Sequence, residues 1–332
     1  MRHMISSAVI DLARDLSLNQ LGNYSVEEGN DVLRKAIKEE LGIEKWDGRA
    51  FRYNKDRIYE IVERTLDVAQ PQTMKDVFGQ YVDTQFVGWS QTAEFNIPPS
   101  RQLFQVATVS YGNGSVRKQE LEVGGKLQVP TALRHITIRA SWYEFVSGQI
   151  DWVRMITQMN DSFVHQIRME IYDLVHSSFN ESVPYQVKGT FEYDKLVNIA
   201  SHLNAEYGGR VAVLGTKSAL VKVTRESGYQ FSDNKKDELL KSGYLGSIDN
   251  MDFIELEQAH KVGTDEFALD NKMLYIIPQG NQKFIKLFFE GETIIEDTPL
   301  MQNKDFSKEF MMMRSYGLAL VPSVKYGMYQ FS

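Results

Sequence analysis

The chain has 332 residues, 42% of them hydrophobic, a formal net charge of −7 and no cysteine. Disulfides, zinc–thiolate centres, iron–sulfur clusters and thiol nucleophiles are thereby excluded, so packing alone must hold the fold. The acidic balance argues against a dedicated nucleic-acid binder. No apolar run approaches the roughly 18 residues of a membrane-spanning helix, and residues 1–16 mix acids and bases without the apolar stretch of a secretory signal.

In chain order, residues 1–70 read as helices joined by short polar links. A first helix is expected over 6–16. In the second, Ser25 and Glu28 form a capping-box pair and Gly42 follows the last periodic residue, Leu41. A third starts near Asn54, shows Ile58, Ile61, Val62, Leu66 and Val68, and is expected to end before Pro71. Residues 71–100 are mixed, with Phe78, Tyr81, Phe86 and Trp89 among Gly and Gln, closed by Pro98-Pro99.

Residues 101–145 read as β-structure. A strand over 103–111, the turn Gly112-Asn113-Gly114-Ser115 and an alternating run over 116–123 make a hairpin, and Gly124-Gly125 precedes a short run at 126–129. From Arg134 to Phe145, His135, Thr137, Arg139 and Ser141 alternate with Ile136, Ile138 and Ala140. A long two-stranded hairpin with few core residues is marginal by itself in water, which implies a partner surface for it.

Residues 149–179 form the one long regular stretch. Trp152, Ile156, Met159, Phe163, Ile167, Ile171, Leu174 and Val175 recur at helical spacing, and no Pro or Gly interrupts them. The spacing predicts an amphipathic helix about 45 Å long at about 1.5 Å per residue. Beyond it come a helix at 192–203, a strand at 210–214, a helix at 217–223 capped by Thr216 or Ser218, and a helix at 234–241. Strands follow at 251–256, 273–277, 284–289 and 292–295, with Pro278-Gln279-Gly280-Asn281 as a hairpin turn between two of them, and 310–316 and 318–324 close the chain. Nothing in the sequence has the composition of a linker.

Little of this carries chemistry. Gly209 to Ser218, ending G-T-K-S, falls short of a phosphate loop because Thr216 separates Gly215 from Lys217. His165 and His176 share a helix face but stand about 16 Å apart along the axis, too far to ligate one ion. Glu290, Glu292, Glu296 and Asp297 are the one acidic cluster that hydrolytic chemistry would use, and that reading requires them to converge in a pocket. Arg117, Lys118 and Lys126 flank Glu120 and Glu122, a mixed-charge pattern that suits contact with another protein surface better than with phosphate. No catalytic residue, metal or cofactor is expected.

The order of parts resembles the major capsid protein of tailed bacteriophages, an α+β chain of the Hong Kong 97-type capsid fold. The resemblance lies in the layout: the Gly112–Ser115 hairpin, the long helix, then V-A-V-L-G-T-K-S-A-L, K-S-G-Y-L-G-S, F-I-E-L-E and the closing G-L-A-L-V-P-S-V-K-Y-G. It implies an N-terminal helical arm at 1–100, an extended β-hairpin (the E-loop) at 101–148, a spine helix and the first part of a peripheral domain at 149–192, an axial domain at 193–256, and the peripheral return with closing strands at 257–332. It further implies inter-subunit contacts at Tyr111, Gly112, Asn113, Gly114, Arg117, Lys118 and Lys126. Trp152, Ile156, Met159, Phe163, Ile167, Ile171 and Leu174 would form the core face of the spine. The implied partners are other copies, in hexamers and pentamers, scaffold, portal and decoration proteins, and double-stranded DNA held without sequence preference; no membrane is implied. Some members cross-link subunits through an E-loop Lys and an Asn. Lys118 and Lys126 are available, but nothing marks the Asn or a catalytic Glu, and no cross-link is expected. An encapsulin-like nanocompartment shares the layout, whereas a tail or baseplate protein would not call for so long a helix.

Overall fold

The computed structural model describes residues 7–17, 26–44, 48–78, 81–91, 93–97, 104, 106, 118–121, 124–141, 152–227, 233–279, 283–298, 307–321 and 324–331. They form two compact units, each assembled from three separate stretches: Met1–Phe95, Gln128–Ile171 and Ile285–Ala319 in the first, and Asn96–Leu127, Tyr172–Phe284 and Leu320–Ser332 in the second. Several of these boundaries fall inside regular elements, which is why no linker composition marks them.

The first unit begins with α1 (Ser7–Ser17), α2 (Val26–Leu41) and α3 (Gly48–Phe78). Their buried residues keep helical spacing: Val9 and Ala13; Leu33, Ile37 and Leu41; Ile58, Ile61, Val62, Leu66 and Ala69. Gly42 ends α2 at φ 65°. Its N–H donates to Glu39 O (3.2 Å) and that of Ile43 to Lys38 O (2.9 Å), the paired bonds of a Schellman stop. The capping residue Ser25 lies outside the described residues. Contrary to expectation, α3 runs through Pro71. Proline removes only one helical hydrogen bond, and the turn before it is held by buried Leu66, Ala69 and Gln70.

A four-stranded sheet follows in the order β1-β10-β11-β4, made of β1 (Val82–Val87), β10 (Ile285–Asp297), β11 (Ser307–Leu320) and β4 (Ala132–Ser141). β1, which the pattern of 71–100 did not disclose, pairs in parallel with β10 from Val82↔Ile285 to Val87↔Glu290. β10 is one strand, not two, and carries Gly291 inside it at φ 68°, as at a bulge. β11 likewise continues through Gly317 to Leu320, and β4 pairs with it antiparallel from Ser307↔Ser141 to Tyr316↔Ala132. Between them in sequence, β2 (Ala93–Asn96) and β3 (Lys126–Val129) pair with each other.

Helix α4 (Trp152–Ser177) lies within the expected 149–179 and passes from the first unit's stretch to the second's. The second unit holds β5 (Gln186–Gly189), α5 (Tyr193–Tyr207), β6 (Val211–Gly215), α6 (Lys217–Glu226), α7 (Asp233–Ser242), β7 (Ser247–Ile248), β8 (Met251–Glu255), β9 (Met273–Pro278) and β12 (Gly327–Phe331). Its sheet runs β5-β12-β9-β6-β8-β7. Val211 and Val213 of β6 are buried with Leu196, Ile199 and Leu203 of α5 and Leu220 and Val223 of α6. No hairpin joins the strands on either side of the turn expected at 278–281: β9 belongs to this sheet and β10 to the other, and the chain passes from one unit to the next after Phe284. The closing strand is β12, beyond the expected 318–324.

Candidate assembly surfaces

β4 forms one edge of its sheet, and along it Leu133, His135, Thr137 and Arg139 are exposed while Arg134, Ile136 and Ile138 are half-buried. This two-residue period is the one read from the sequence. β4 is tied at its start to the long helix. Arg134 donates from Nε to Glu170 Oε1 (2.9 Å) and from Nη2 to Glu170 Oε2 (2.8 Å), and its Nη1 donates to the carbonyls of Ala132 (2.8 Å) and Tyr316 (3.0 Å). The guanidinium stands 4.0 Å above the Tyr316 ring, and the Tyr316 hydroxyl donates to Glu170 (3.1 Å). Burial, then the Glu170 charge, push the Tyr316 phenol well above its ordinary range.

Of the residues expected at the hairpin contact, Tyr111, Gly112, Asn113, Gly114 and Arg117 lie outside the described residues. Lys118 and Lys126 are exposed, and residues 118–121 form no regular strand. Three apolar side chains of this stretch, Phe104, Val106 and Leu121, are exposed as well.

On α4, Met159, Phe163, Ile167 and Ile171 are buried and Leu174 is only half-buried. Val164, absent from the expected face, is buried too. The side chains of Trp152 and Ile156 lie outside the described residues.

Helix α3 is joined to β10 by polar contacts that the sequence did not disclose. Beyond Glu290 the β1 side of β10 has no strand partner in the ladder, and α3 carboxylates take its donors. Ile295 N–H donates to Glu63 (2.7 Å), and Thr293 N–H to Asp67 (3.0 Å). Asp67 also accepts from buried Arg314 and from the Thr293 hydroxyl (2.7 Å), while Lys55 pairs with Asp297 at 3.1 Å. Burial raises the Glu63 carboxyl above its ordinary range, and the hydrogen bond to Asp297 raises the Lys55 ammonium. A lone Arg in the apolar run F-M-M-M-R-S-Y was the available signal, because an arginine there needs a buried partner.

The acidic cluster is dispersed by the same strand. Glu290 accepts from the Thr131 hydroxyl (2.6 Å), the Ser315 hydroxyl (3.0 Å) and Ser90 N–H (3.1 Å), and the Thr131 bond leads in lowering its carboxyl. Asp297 is seven residues further, about 23 Å at 3.3 Å per residue, and faces Lys55. Glu292 and Glu296 are exposed. Among the described residues no group of His, Asp and Glu is placed to hold a metal. The G-T-K-S segment is a strand-to-helix turn: Thr216 stands at the N-cap of α6 with its hydroxyl buried and making no cap bond, and its carbonyl accepts from Leu220 N–H (3.0 Å).

The sequence matches, over residues 7–328, the family described as "SPbeta prophage-derived putative capsid protein YonB". No curated protein matches it. In structure it is similar to the capsid of the native GTA particle, with a TM-score of 0.55 and 11% identity over 77% of this chain and 90% of that one. It is similar also to the mature capsid of bacteriophage PhiM1, with a TM-score of 0.50 and 6% identity over 75% and 85% of the two chains. The capsid of cyanophage P-SCSP1u gives a TM-score of 0.50 and 8% identity over 77% and 88%. At such identities the likeness is one of fold.

Proposed function

The chain belongs to the YonB capsid-protein family, and from that premise we propose that it is the major capsid protein of a tailed-phage head, a structural subunit and not an enzyme. The α+β fold is of the Hong Kong 97 capsid type, as its likeness to three phage-type capsids indicates. The family match over nearly the whole chain carries the reading.

In this reading copies of the chain assemble into hexamers and pentamers that close a shell around double-stranded DNA. The arm (1–100) and the E-loop (101–148) reach neighbouring subunits, and assembly adds to the stability they have within the subunit. The exposed Phe104, Val106 and Leu121 are what a neighbour would cover. The spine and first peripheral part (149–192), the axial domain (193–256) and the peripheral return (257–332) complete the subunit. Tyr111, Gly112, Asn113, Gly114, Arg117, Lys118 and Lys126 remain the proposed contacts at the E-loop. The net charge of −7 suits a container that holds its genome without gripping it. Assembly would occur in the host cytoplasm, with scaffold, portal and decoration proteins as further partners, and the product would reside in the virion. Sedimentation of the expressed protein tests this: fast-sedimenting particles are expected, and a slow monomer at every concentration contradicts it.

A further inference from the structure

The six-stranded unit carries a small hairpin after β8 that none of the contacts above employs. His260 and Phe267 bridge antiparallel, Ala268 N–H donates to Ala259 O (2.8 Å) and Lys261 N–H to Glu266 O (2.9 Å). Gln258 clasps the base: its Nε2 donates to Leu269 O (2.9 Å) and Asn271 Oδ1 (3.0 Å), and its Oε1 accepts from the N–H groups of Leu269 (3.0 Å) and Ala259 (3.1 Å). The His260 and Phe267 rings stack at 5.5 Å and Lys261 pairs with Glu266 at 3.2 Å. This fixed loop holds Val262 85% exposed and Phe267 57% exposed.

A second apolar point stands on α7, where Leu239 packs on the core and Leu240 is 84% exposed. Lys241 follows it. Lys217 of α6 lies beside the end of the same helix, since a Cβ on Gly243 would meet Lys217 Cε at 3.6 Å.

The two features are matched in charge. Residues 255–270 hold five carboxylates against one lysine, a formal charge of −4, whereas 217–242 hold six Lys or Arg against four Asp or Glu, +2. They are matched in place as well. β6 and β8 run parallel and finish together at Gly215↔Glu255; the hairpin leaves from that end, and α6 starts there two residues after β6. A closed ring is built from one heterologous contact repeated about an axis, so both halves of the contact must lie at the same distance from that axis, as two features at one end of a sheet can.

We propose that the 259–268 hairpin of one subunit seats Val262 and Phe267 against Leu240 of the neighbouring copy, with Asp265 facing Lys241 and Lys217 there. This rests on the shell reading and names a contact within its rings.

The absence of cysteine makes the test clean. Chains carrying Val262→Cys and chains carrying Leu240→Cys are co-assembled and treated with a short bismaleimide; both positions are exposed, and thermal melts verify that each variant folds. The mixture is expected to give about tenfold more covalent dimer than either variant alone, because apposition raises the effective concentration of the two thiols. The doubly substituted chain is expected to give ladders ending at five or six. Particles that form while the mixture yields no more dimer than the single variants overturn the contact and leave the shell reading standing. Failure of the unsubstituted chain to form any particle overturns both. Independently, Asp265→Lys is expected to reduce particle yield and Lys241→Glu to restore it in the double variant; a double variant no better than the single one also counts against the contact.

Discussion

Arg134 and Glu170 meet through two parallel hydrogen bonds, 2.9 and 2.8 Å long, that join the start of β4 to the long helix α4. β4 is an edge strand that falls within the proposed E-loop (101–148), and α4 is the proposed spine. The pair therefore joins a strand of the proposed E-loop to the proposed spine. Tyr316 completes it by stacking under the guanidinium and donating to the same carboxylate.

Breaking that anchor should be measurable in the free subunit. Arg134→Ala is expected to lower unfolding free energy by about 1–3 kcal/mol, the range for charge-assisted bonds to partly covered groups. Arg134→Lys should recover little of it, because an ammonium cannot make the two-pronged contact. Urea unfolding of both variants checks this, and equal stability of the Lys and wild-type chains would refute it.

The packing of α3 on its sheet should depend on Asp67. Arg314 has a side chain only 2% exposed, and Asp67 is its carboxylate partner. Asp67→Ala leaves a buried guanidinium without its counter-charge, a loss of about 3–5 kcal/mol. Arg314→Met in the same chain should regain much of that. Denaturant titration of the two variants distinguishes a charge effect from simple loss of packing.

Gly291 holds a left-handed conformation inside β10 that other residues adopt only with strain. It sits at φ 68°, and a Cβ there would collide with the Trp89 indole. Gly291→Ala is expected to cost about 1–3 kcal/mol and to drive Trp89 outwards. The second effect is a red shift in tryptophan fluorescence that should vanish in a Trp89→Phe background.

Two carboxyls should respond to pH in opposite senses. Glu290 is held below its ordinary range by the Thr131 hydroxyl, the Ser90 N–H and the Ser315 hydroxyl, so its contribution is full above that range and fades as pH falls through its folded value. The stability gap between wild type and Glu290→Gln should be largest near neutrality and close in acid. Glu63 is raised by burial, which outweighs the Ile295 N–H, so its ionisation opposes folding as pH rises through the ordinary range, about 4, and above. Glu63→Gln keeps an acceptor for Ile295 and should be the more stable chain near neutrality, with the advantage gone below about pH 4. Melts across pH on both variants provide the check.

The sequence was readable where the signal is local. The apolar spacing of 152–175 gave the long helix to within a few residues at each end, the V-A-V-L run gave β6, and Gly42 gave the stop of α2. It misled where partners are distant in the chain. Pro71 reads as a stop only if the turn before it is free, and here that turn is packed. Pro278-Gln279-Gly280-Asn281 has hairpin chemistry, yet the strands on either side belong to different sheets. Glu290 to Asp297 look like a cluster because they are neighbours in sequence, but an extended strand carries them apart to Thr131 at one end and Lys55 at the other. The ties of Glu63, Asp67 and Arg314 span more than 200 residues of chain in part, and no local pattern encodes them.

Everything proposed above requires that copies of this chain close into a shell. The most direct test is electron microscopy of the purified, expressed protein, with class averages taken of whatever particles are present. Closed shells are expected, or rings of five and six where closure is incomplete, with nuclease-protected double-stranded DNA inside those recovered from infected or induced cells. A field of small, uniform monomers or dimers that stays unchanged at high protein concentration would contradict the shell reading.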